Sequence, residues 1–409
     1  MHILFLTDNF PPESNAPANR THEHAREWVK AGHKVTIITC APNFPHGRVF
    51  PGYRNRFRQT EQMDGITVVR VWSFMASNTG FLLRVLDFLS FMISGFLGGL
   101  KVRRPDIVVG TSPQFFTVCA AFMLARVKRV PFVFEIRDLW PESLKAVSIP
   151  GAELLIRLAK PIAHFLYNRA DHFVVVTNGF KLFLEQKGIP SERITVIRNG
   201  IDLKKFVPIP ANEMLKAELK LNTRFVVGYI GTHGMAHHLE TIIDAARLAK
   251  NDPKFSELHF ITVGTGAEME KLKYLARDLD NLTMIGQVDR AEIPRYWSLL
   301  DASVIHLRDD PVFDTVIPSK LFEAMGMGVP ILHGVRGESA EIVEEYGVGC
   351  VFGAERPNEL LDAAERLMKN PQLHASMKSD AVKAAKNFDR ADQARKMADC
   401  LHEVLSRNG

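Results

Sequence analysis

The stretch Pro318-Ser319-Lys320-Leu321-Phe322-Glu323-Ala324-Met325-Gly326-Met327-Gly328-Val329-Pro330-Ile331 sets a serine, a lysine and a carboxylate on the first turns of a short helix that ends at glycines and runs into a strand. A helix N-terminus carries unpaired N–H groups and partial positive charge, which suits a phosphate. Lys320 adds a full charge, and Glu323, one turn further on, shares its face. A carboxylate there can accept from both hydroxyls of a ribose cis-diol. Phosphate donors beside a diol acceptor point to a sugar-nucleotide site.

Three further groups carry polar chemistry at strand ends. The loop from Asn9 to Asn19, with Asn15-Ala16-Pro17 in it, follows the first apolar run and leads into a helix bearing Arg20 and His24. A polar loop in that place is either substrate-facing or a plain connection. The run Phe132–Ile136 ends in Arg137-Asp138-Leu139-Trp140-Pro141-Glu142. There Asp138 is suited to accept a proton or a hydroxyl hydrogen bond, and Arg137 to hold an anionic group. The turn Gly228-Tyr229-Ile230-Gly231-Thr232-His233-Gly234-Met235 lets backbone approach a pyrophosphate closely. It lacks the GxGxxG spacing, and Val263-Gly264-Thr265-Gly266-Ala267-Glu268 has Met269 where a third glycine belongs, so a nicotinamide enzyme is not expected. His233, His237 and His238 have no carboxylate or cysteine nearby to complete a metal site.

These groups need strands and helices to aim them. Short runs rich in Val, Ile and Phe at His2–Thr7, Lys34–Thr39, Thr67–Val71, Asp106–Gly110, Phe132–Ile136, His172–Val176 and Thr195–Ile197 alternate with helix-length segments, which predicts a parallel α/β sheet. The pattern restarts at Phe225–Ile230 and continues through His259–Val263, Leu282–Ile285, Ala302–His306, Pro330–Leu332 and Cys350–Phe352. At 409 residues the chain suits two domains, and Pro208 and Pro210 mark a linker within Asp202–Ala211. The expected division is a first domain over 1–205, a second over 206–387 and closing helices over 388–409. Two doubly wound, Rossmann-like domains would place a ligand cleft between them, at the carboxyl ends of the strands.

The composition is that of an ordinary globular protein. Cys40, Cys119, Cys350 and Cys400 have no metal-type or CxxC spacing and read as reduced thiols of a cytosolic protein. The opening MHILFLTDNFPP lacks a basic region and a cleavage site, and reads as a buried strand rather than a signal peptide. The net charge of +5 hides an asymmetry, about +11 over residues 1–205 and about −6 over the rest. Arg54, Arg56 and Arg58 cluster in one expected loop, Lys101, Arg103 and Arg104 in a second, and Arg126, Lys128 and Arg129 in a third. Such clusters are either a solvated surface or a match for anionic phospholipid. No nucleic-acid motif accompanies them. In Phe81–Leu100 the polar residues Arg84, Asp87, Ser90, Ser94 and Gly98 form one narrow stripe on an otherwise apolar helix. The two charges argue against a membrane span, leaving a helix buried in its domain or one lying in a membrane interface.

Taken together the motifs resemble the retaining glycosyltransferases of family 4, which have the GT-B fold. The likeness runs over essentially the whole chain. It includes Pro11-Pro12, Gly32-His33-Lys34-Val35, Asn199-Gly200-Ile201-Asp202, Val263-Gly264-Thr265-Gly266, Gly286-Gln287-Val288 and the stretch from Pro318. The string from Glu135 to Glu142, with that stretch, looks most like the branch that builds bacterial surface polysaccharides such as O-antigen and capsule. Amino-deoxysugar transferases of the WbuB type, which move N-acetyl-L-fucosamine, belong to that branch. The resemblance implies a nucleotide diphosphate sugar donor, with UDP the expected carrier, held by Gly231, Thr232, His233, Gly234, Gly264, Gly286, Val288, Thr315, Pro318, Ser319, Lys320, Leu321 and Glu323. Glu323 would take the ribose, Ser319 and Lys320 the diphosphate, and Gly286–Val288 would flank the base. Arg137, Asp138, Lys320 and Glu323 are the expected catalytic residues, and Asn15, Ala16, Pro17 and Arg20 the acceptor side. The acceptor implied is a polyprenyl-diphosphate-linked saccharide, met by a cytoplasmic protein resting on the inner membrane through its N-terminal domain. No metal cofactor is expected, since Lys320 and helix N-termini would stabilise the leaving diphosphate.

Four positions depart from the family pattern. The first glutamate of its E-x7-E motif is Thr315 here, and Gly231–His238 lacks the usual Arg and Lys. Lys320 is expected to supply that charge, with help from His233 or His237. The Gly-Gly of the first loop is Asn15-Ala16-Pro17, and the histidine after the fifth strand is replaced near Arg137-Asp138. Two rival readings therefore stay open: a sugar-nucleotide 2-epimerase of the same fold, and a catalytically silent sugar-nucleotide-binding paralogue.

Overall fold

Runs of buried Val, Ile and Phe with no polar alternation make strands that must be covered on both faces. In the computed structural model, which describes residues 1–44, 47–75, 81–139 and 152–408, they do so in two units. Trp140, Pro141 and Glu142 of the third motif lie outside the described residues.

The first unit comprises Met1–Asn199 and Arg390–Gly409. Among the described residues its strands are β1 (His2–Leu6), β2 (Lys34–Cys40), β3 (Arg58–Met63), β4 (Ile66–Val71), β5 (Ile107–Thr111), β6 (Phe132–Ile136), β7 (His172–Val175) and β8 (Ile194–Val196). They lie in the order β3-β4-β2-β1-β5-β6-β7-β8, with Leu6 opposite both Ile38 and Gly110. All pairs are parallel except β3 with β4. The sequence of β3, RQTEQM, has no strand-forming apolar run, because one of its faces is open at the sheet edge. That polarity explains why pattern reading misses it and puts Arg58 in a loop.

Helices α1 (Ala16–Lys30), α2 (Phe81–Leu100), α3 (Phe115–Lys128), α4 (Ala152–Arg169) and α5 (Asn178–Gln186) connect the strands. Arg126 and Lys128 thus sit in the last turn of α3 rather than in a loop. Helix α1 packs on one sheet face with the chain's last helix, Arg390–Asn408, where Trp28 donates its indole N–H to the Ala394 carbonyl at 2.8 Å. Side chains of α2, α3, α4 and α5 join the core on the other face.

The second unit is Gly200–Asp389. Its division from the first falls at Asn199 rather than 205, because Ile201 donates to the Phe388 carbonyl at 2.9 Å and Phe206 is buried in the second core. Strands β9 (Phe225–Ile230), β10 (Leu258–Val263), β11 (Leu282–Ile285), β12 (Ala302–His306), β13 (Ile331–Gly334) and β14 (Gly349–Val351) form a parallel sheet ordered β11-β10-β9-β12-β13-β14. The order reverses between β9 and β12. A doubly wound sheet opens a ligand crevice outside the carboxyl ends of its strands at such a point.

Candidate active site

The loop leaving β9 and the helix Lys320–Met327 meet at that crevice. Gly231 approaches the lysine so closely that a Cβ there would lie 2.9 Å from Lys320 Nζ. Gly264, at φ +137, would place a Cβ 2.0 Å from the Gly231 carbonyl oxygen, so the loops after β9 and β10 pack backbone to backbone. His233 N–H to the Thr265 carbonyl (3.0 Å) and Glu268 N–H to the His233 carbonyl (3.0 Å) tie them together.

Lys320 sits on an aromatic floor. Its ammonium lies 3.7 Å from the centre of the Tyr229 ring, a cation–π contact. The Tyr229 hydroxyl is turned away to the Thr232 carbonyl at 2.7 Å. Nζ is shut from solvent and has no hydrogen-bond partner among the described residues. Burial pulls the Lys320 pKa down to about 7, and the charge of Glu323 pushes back. Ser319 stands at the helix cap without a side-chain cap bond, and helix geometry leaves the Ser319 and Lys320 N–H groups without an intrahelical carbonyl. The result is a buried ammonium beside an uncapped helix start.

The neighbouring histidines do not add charge. Nδ1 of His233 lies 3.1 Å from the Gly231 carbonyl, which fixes the proton on Nδ1 and leaves Nε2 as a buried acceptor without a partner among the described residues. Burial takes the His233 pKa to about 4 and that of His237 well below the ordinary value. The expectation that either supplies the missing charge is therefore corrected: both are neutral at neutral pH. His306 braces the loop, with Nδ1 2.9 Å from the His237 carbonyl and Nε2 accepting from Glu355 N–H at 2.9 Å.

The remaining donor-side residues divide. Glu323 is half-buried one turn beyond Lys320. The Thr315 hydroxyl donates to the Val312 carbonyl at 2.8 Å, closing its own turn. Leu321 is fully buried in the core, so only its backbone can serve a ligand, and its N–H already bonds the Pro318 carbonyl. Gly286 has open space where a Cβ would project, while Val288 packs partly against the core. Sequence reading missed Tyr229 as the floor of the site. The available signal was a hydroxyl-bearing residue one position before the end of a strand with no other polar side chain, FVVGYI.

In the first unit, Arg137 and Asp138 follow β6, and both backbone N–H groups bond Ser112 Oγ, at 2.7 and 3.1 Å. Nε and Nη1 of Arg137 are buried without partners among the described residues, and burial lowers its pKa to about 10 while Glu135 opposes the shift. Asp8, at the end of β1, and Glu13 are both pushed up by burial, to about 6 and about 7. Arg20 does not face an acceptor. It is about 2 % exposed and paired with Glu135 at 3.1 Å, and it also donates to the carbonyls of Ile197 (3.1 Å) and Arg198 (3.0 Å). Asn15 is the N-cap of α1, its side chain accepting from Ala18 N–H at 2.9 Å, with Ala16 and Pro17 in the first turn. Those contacts hold the helix, which corrects the expectation that Arg20 binds substrate.

Two doubly wound units, the second with an anion-ready helix end, are the GT-B architecture. The Anabaena protein HepE, solved in complex with UDP-glucose, has the same fold: TM-score 0.73, 18% identity, covering 98% of this chain and 100% of that one. Residues 15–200 match the glycosyl transferase 4-like domain, and residues 211–384 match the glycosyl transferases group 1 family. The chain is a glycosyltransferase of this group 1, family 4-like type. It is 25% identical over 361 residues, 86% of each chain, to the putative colanic acid biosynthesis glycosyl transferase WcaI of Escherichia coli. It is 23% identical over 376 residues, 92% of this chain and 90% of that one, to a GDP-mannose-dependent alpha-mannosyltransferase of Mycobacterium tuberculosis.

Proposed function

We propose that this glycosyltransferase moves a sugar, with retention of configuration, from a UDP-linked donor to a polyprenyl-diphosphate-linked saccharide in surface-polysaccharide synthesis at the inner face of the bacterial inner membrane. The observation that carries the donor half is the buried ammonium of Lys320, without a hydrogen-bond partner among the described residues, beside an uncapped helix N-terminus. A diphosphate there gives the ammonium its missing counter-charge, and negative charge building on the leaving group is met by donors already in place. No metal ion is invoked in this scheme. Glu323 takes the ribose hydroxyls, and His233 Nε2, an acceptor, meets a hydroxyl of the donor rather than its phosphate. The UDP-glucose complex of HepE supports the carrier, and the colanic acid relative supports the polysaccharide setting. An N-acetylated amino-deoxysugar is the donor class proposed.

Proton NMR of the product checks the stereochemistry: the anomeric coupling should match that of the donor, and an inverted product rules retention out. Donor affinity should also depend on pH. Lys320 holds its proton below about pH 7 in the free protein, and a bound diphosphate raises that value. Affinity for UDP-glucose, whose diphosphate does not titrate near neutral pH, is therefore expected to be flat below about pH 7 and to weaken by up to about tenfold per pH unit above it. Binding near pH 8 should take up a proton, detectable by calorimetry in buffers of different ionisation enthalpy. A flat profile would leave Lys320 outside the diphosphate site.

A further inference from the structure

Helix α2 is amphipathic in reverse. Its polar stripe faces the protein: Asp87 accepts from Ser73 Oγ at 2.6 Å, Ser90 Oγ accepts from Phe74 N–H at 2.7 Å, and Ser94 is buried. A Cβ on Gly98 would meet Val71 at 2.5 Å. The side left to solvent is apolar, with Leu83, Leu86, Ile93, Leu97 and Leu100 each between 40% and 56% exposed. An ordinary surface helix shows the opposite arrangement. The 18 residues Leu83–Leu100 are long and apolar enough to cross a bilayer. Side-chain bonds from the inner stripe nevertheless hold the helix along the chain that leaves β4, so it lies flat on its unit.

The apolar side extends beyond one helix. Gly99 of α2 packs on Leu124 of α3, and Phe122 of α3 stands edge-on to Phe165 of α4 with ring centres 5.5 Å apart. Leu158, Ile162 and Phe165, at helical spacing on α4, are 59%, 42% and 47% exposed. Lysines and arginines rim this face. Lys101, Arg103 and Arg104 follow α2, Arg157 and Lys160 lie exposed on α4, and Lys128 donates to the Leu100 and Val102 carbonyls. Arg126 reaches from α3 to the Arg169 carbonyl at the end of α4 (2.8 Å). An apolar plane bordered by cations matches a leaflet, with acyl chains below and anionic headgroups at the edge.

We propose that the α2–α3–α4 face is a monotopic docking surface for an anionic phospholipid leaflet, with α2 lying in the interface plane, apolar side down. This deepens the membrane part of the reading above and commits to lipid rather than to a protein partner. Charge complementarity decides the occupant, because a second copy would bring its own basic rim against this one.

The test is sedimentation of the full chain with phosphatidylglycerol-containing vesicles and with phosphatidylcholine vesicles. Wild type should bind the first tightly and the second weakly. The exposed triple variant Leu86→Ser, Ile93→Ser, Leu97→Ser should lose about tenfold or more on both. The triple Lys101→Gln, Arg103→Gln, Lys160→Gln should lose about fivefold per charge on phosphatidylglycerol alone, together with most of the salt dependence. Both variants should keep the first-unit calorimetric transition of wild type, which shows that the unit carrying the substitutions is folded. Absence of wild-type binding, or unchanged binding by the serine variant, overturns the proposal. So does a concentration-dependent dimer that the serine variant dissolves, which would assign the face to a second copy. Vesicle binding without transfer to any lipid-linked acceptor would leave this surface standing and sink the acceptor reading instead.

Discussion

Replacing Lys320 by methionine is expected to lower kcat/KM on the order of 10²–10³-fold and to abolish the thermal shift produced by UDP. It should also raise the melting temperature of the ligand-free second unit near neutral pH. Both effects have one origin. The ammonium is buried over Tyr229 with no hydrogen-bond partner among the described residues, and its pKa of about 7 lies far below the ordinary 10.5. The unfolded chain therefore binds more protons than the folded one between about pH 7 and 10.5, so this lysine costs stability below about pH 7 and the cost fades as pH rises. Methionine fills the same space and carries no charge to desolvate. A variant that still shifts with UDP, or turns over near the wild-type rate, would remove Lys320 from the site. Glu323→Gln offers a contrast. If Glu323 grips the ribose equally in ground and transition states, KM rises while kcat holds.

Arg20→Ala is expected to destabilise the first unit by about 3–5 kcal/mol, the range for breaking a buried ion pair on one side only. Glu135, itself about 2 % exposed, would be left charged without its guanidinium. The carbonyls of Ile197 and Arg198 would lose their donors as well. Because the chain divides into two units, unfolding should be followed by calorimetry as two transitions rather than one. The first-unit transition should drop and the second should stay, with the UDP response intact. Unchanged stability together with a raised KM for acceptor would restore Arg20 to the acceptor site.

The strands of both sheets were legible because continuous apolar runs between helix-length segments have few other uses. The polar edge strand β3 was not, since an open edge does not require an apolar run. At the site, the place of Ser319 and Lys320 at a helix start could be read from the sequence. What could not be read is the partner that sequence keeps far away: Tyr229 under the ammonium, and Glu135 against Arg20. Asn15 shows the same limit, because a side chain that caps a helix and one that meets a substrate have identical local signatures. The stripe on α2 was visible as a stripe, but only its bonds to Ser73 and Phe74 show that it points inward.

The neutral histidines of the second unit carry one more consequence. Burial holds His233 and His306 near a pKa of about 4 and His333 near about 3, with His237 also well below its ordinary value. Unfolding frees all four to protonate near 6.5, so each subtracts stability as pH falls from about 6.5 toward their folded values. In the first unit Asp8 and Glu13 run the other way, because their raised values favour the folded state as acid is added. Burial also holds His24 of the first unit well below its ordinary value and His172 at about 4, so both units should lose stability in acid, and among the described residues only the first has raised carboxylates to offset part of the loss.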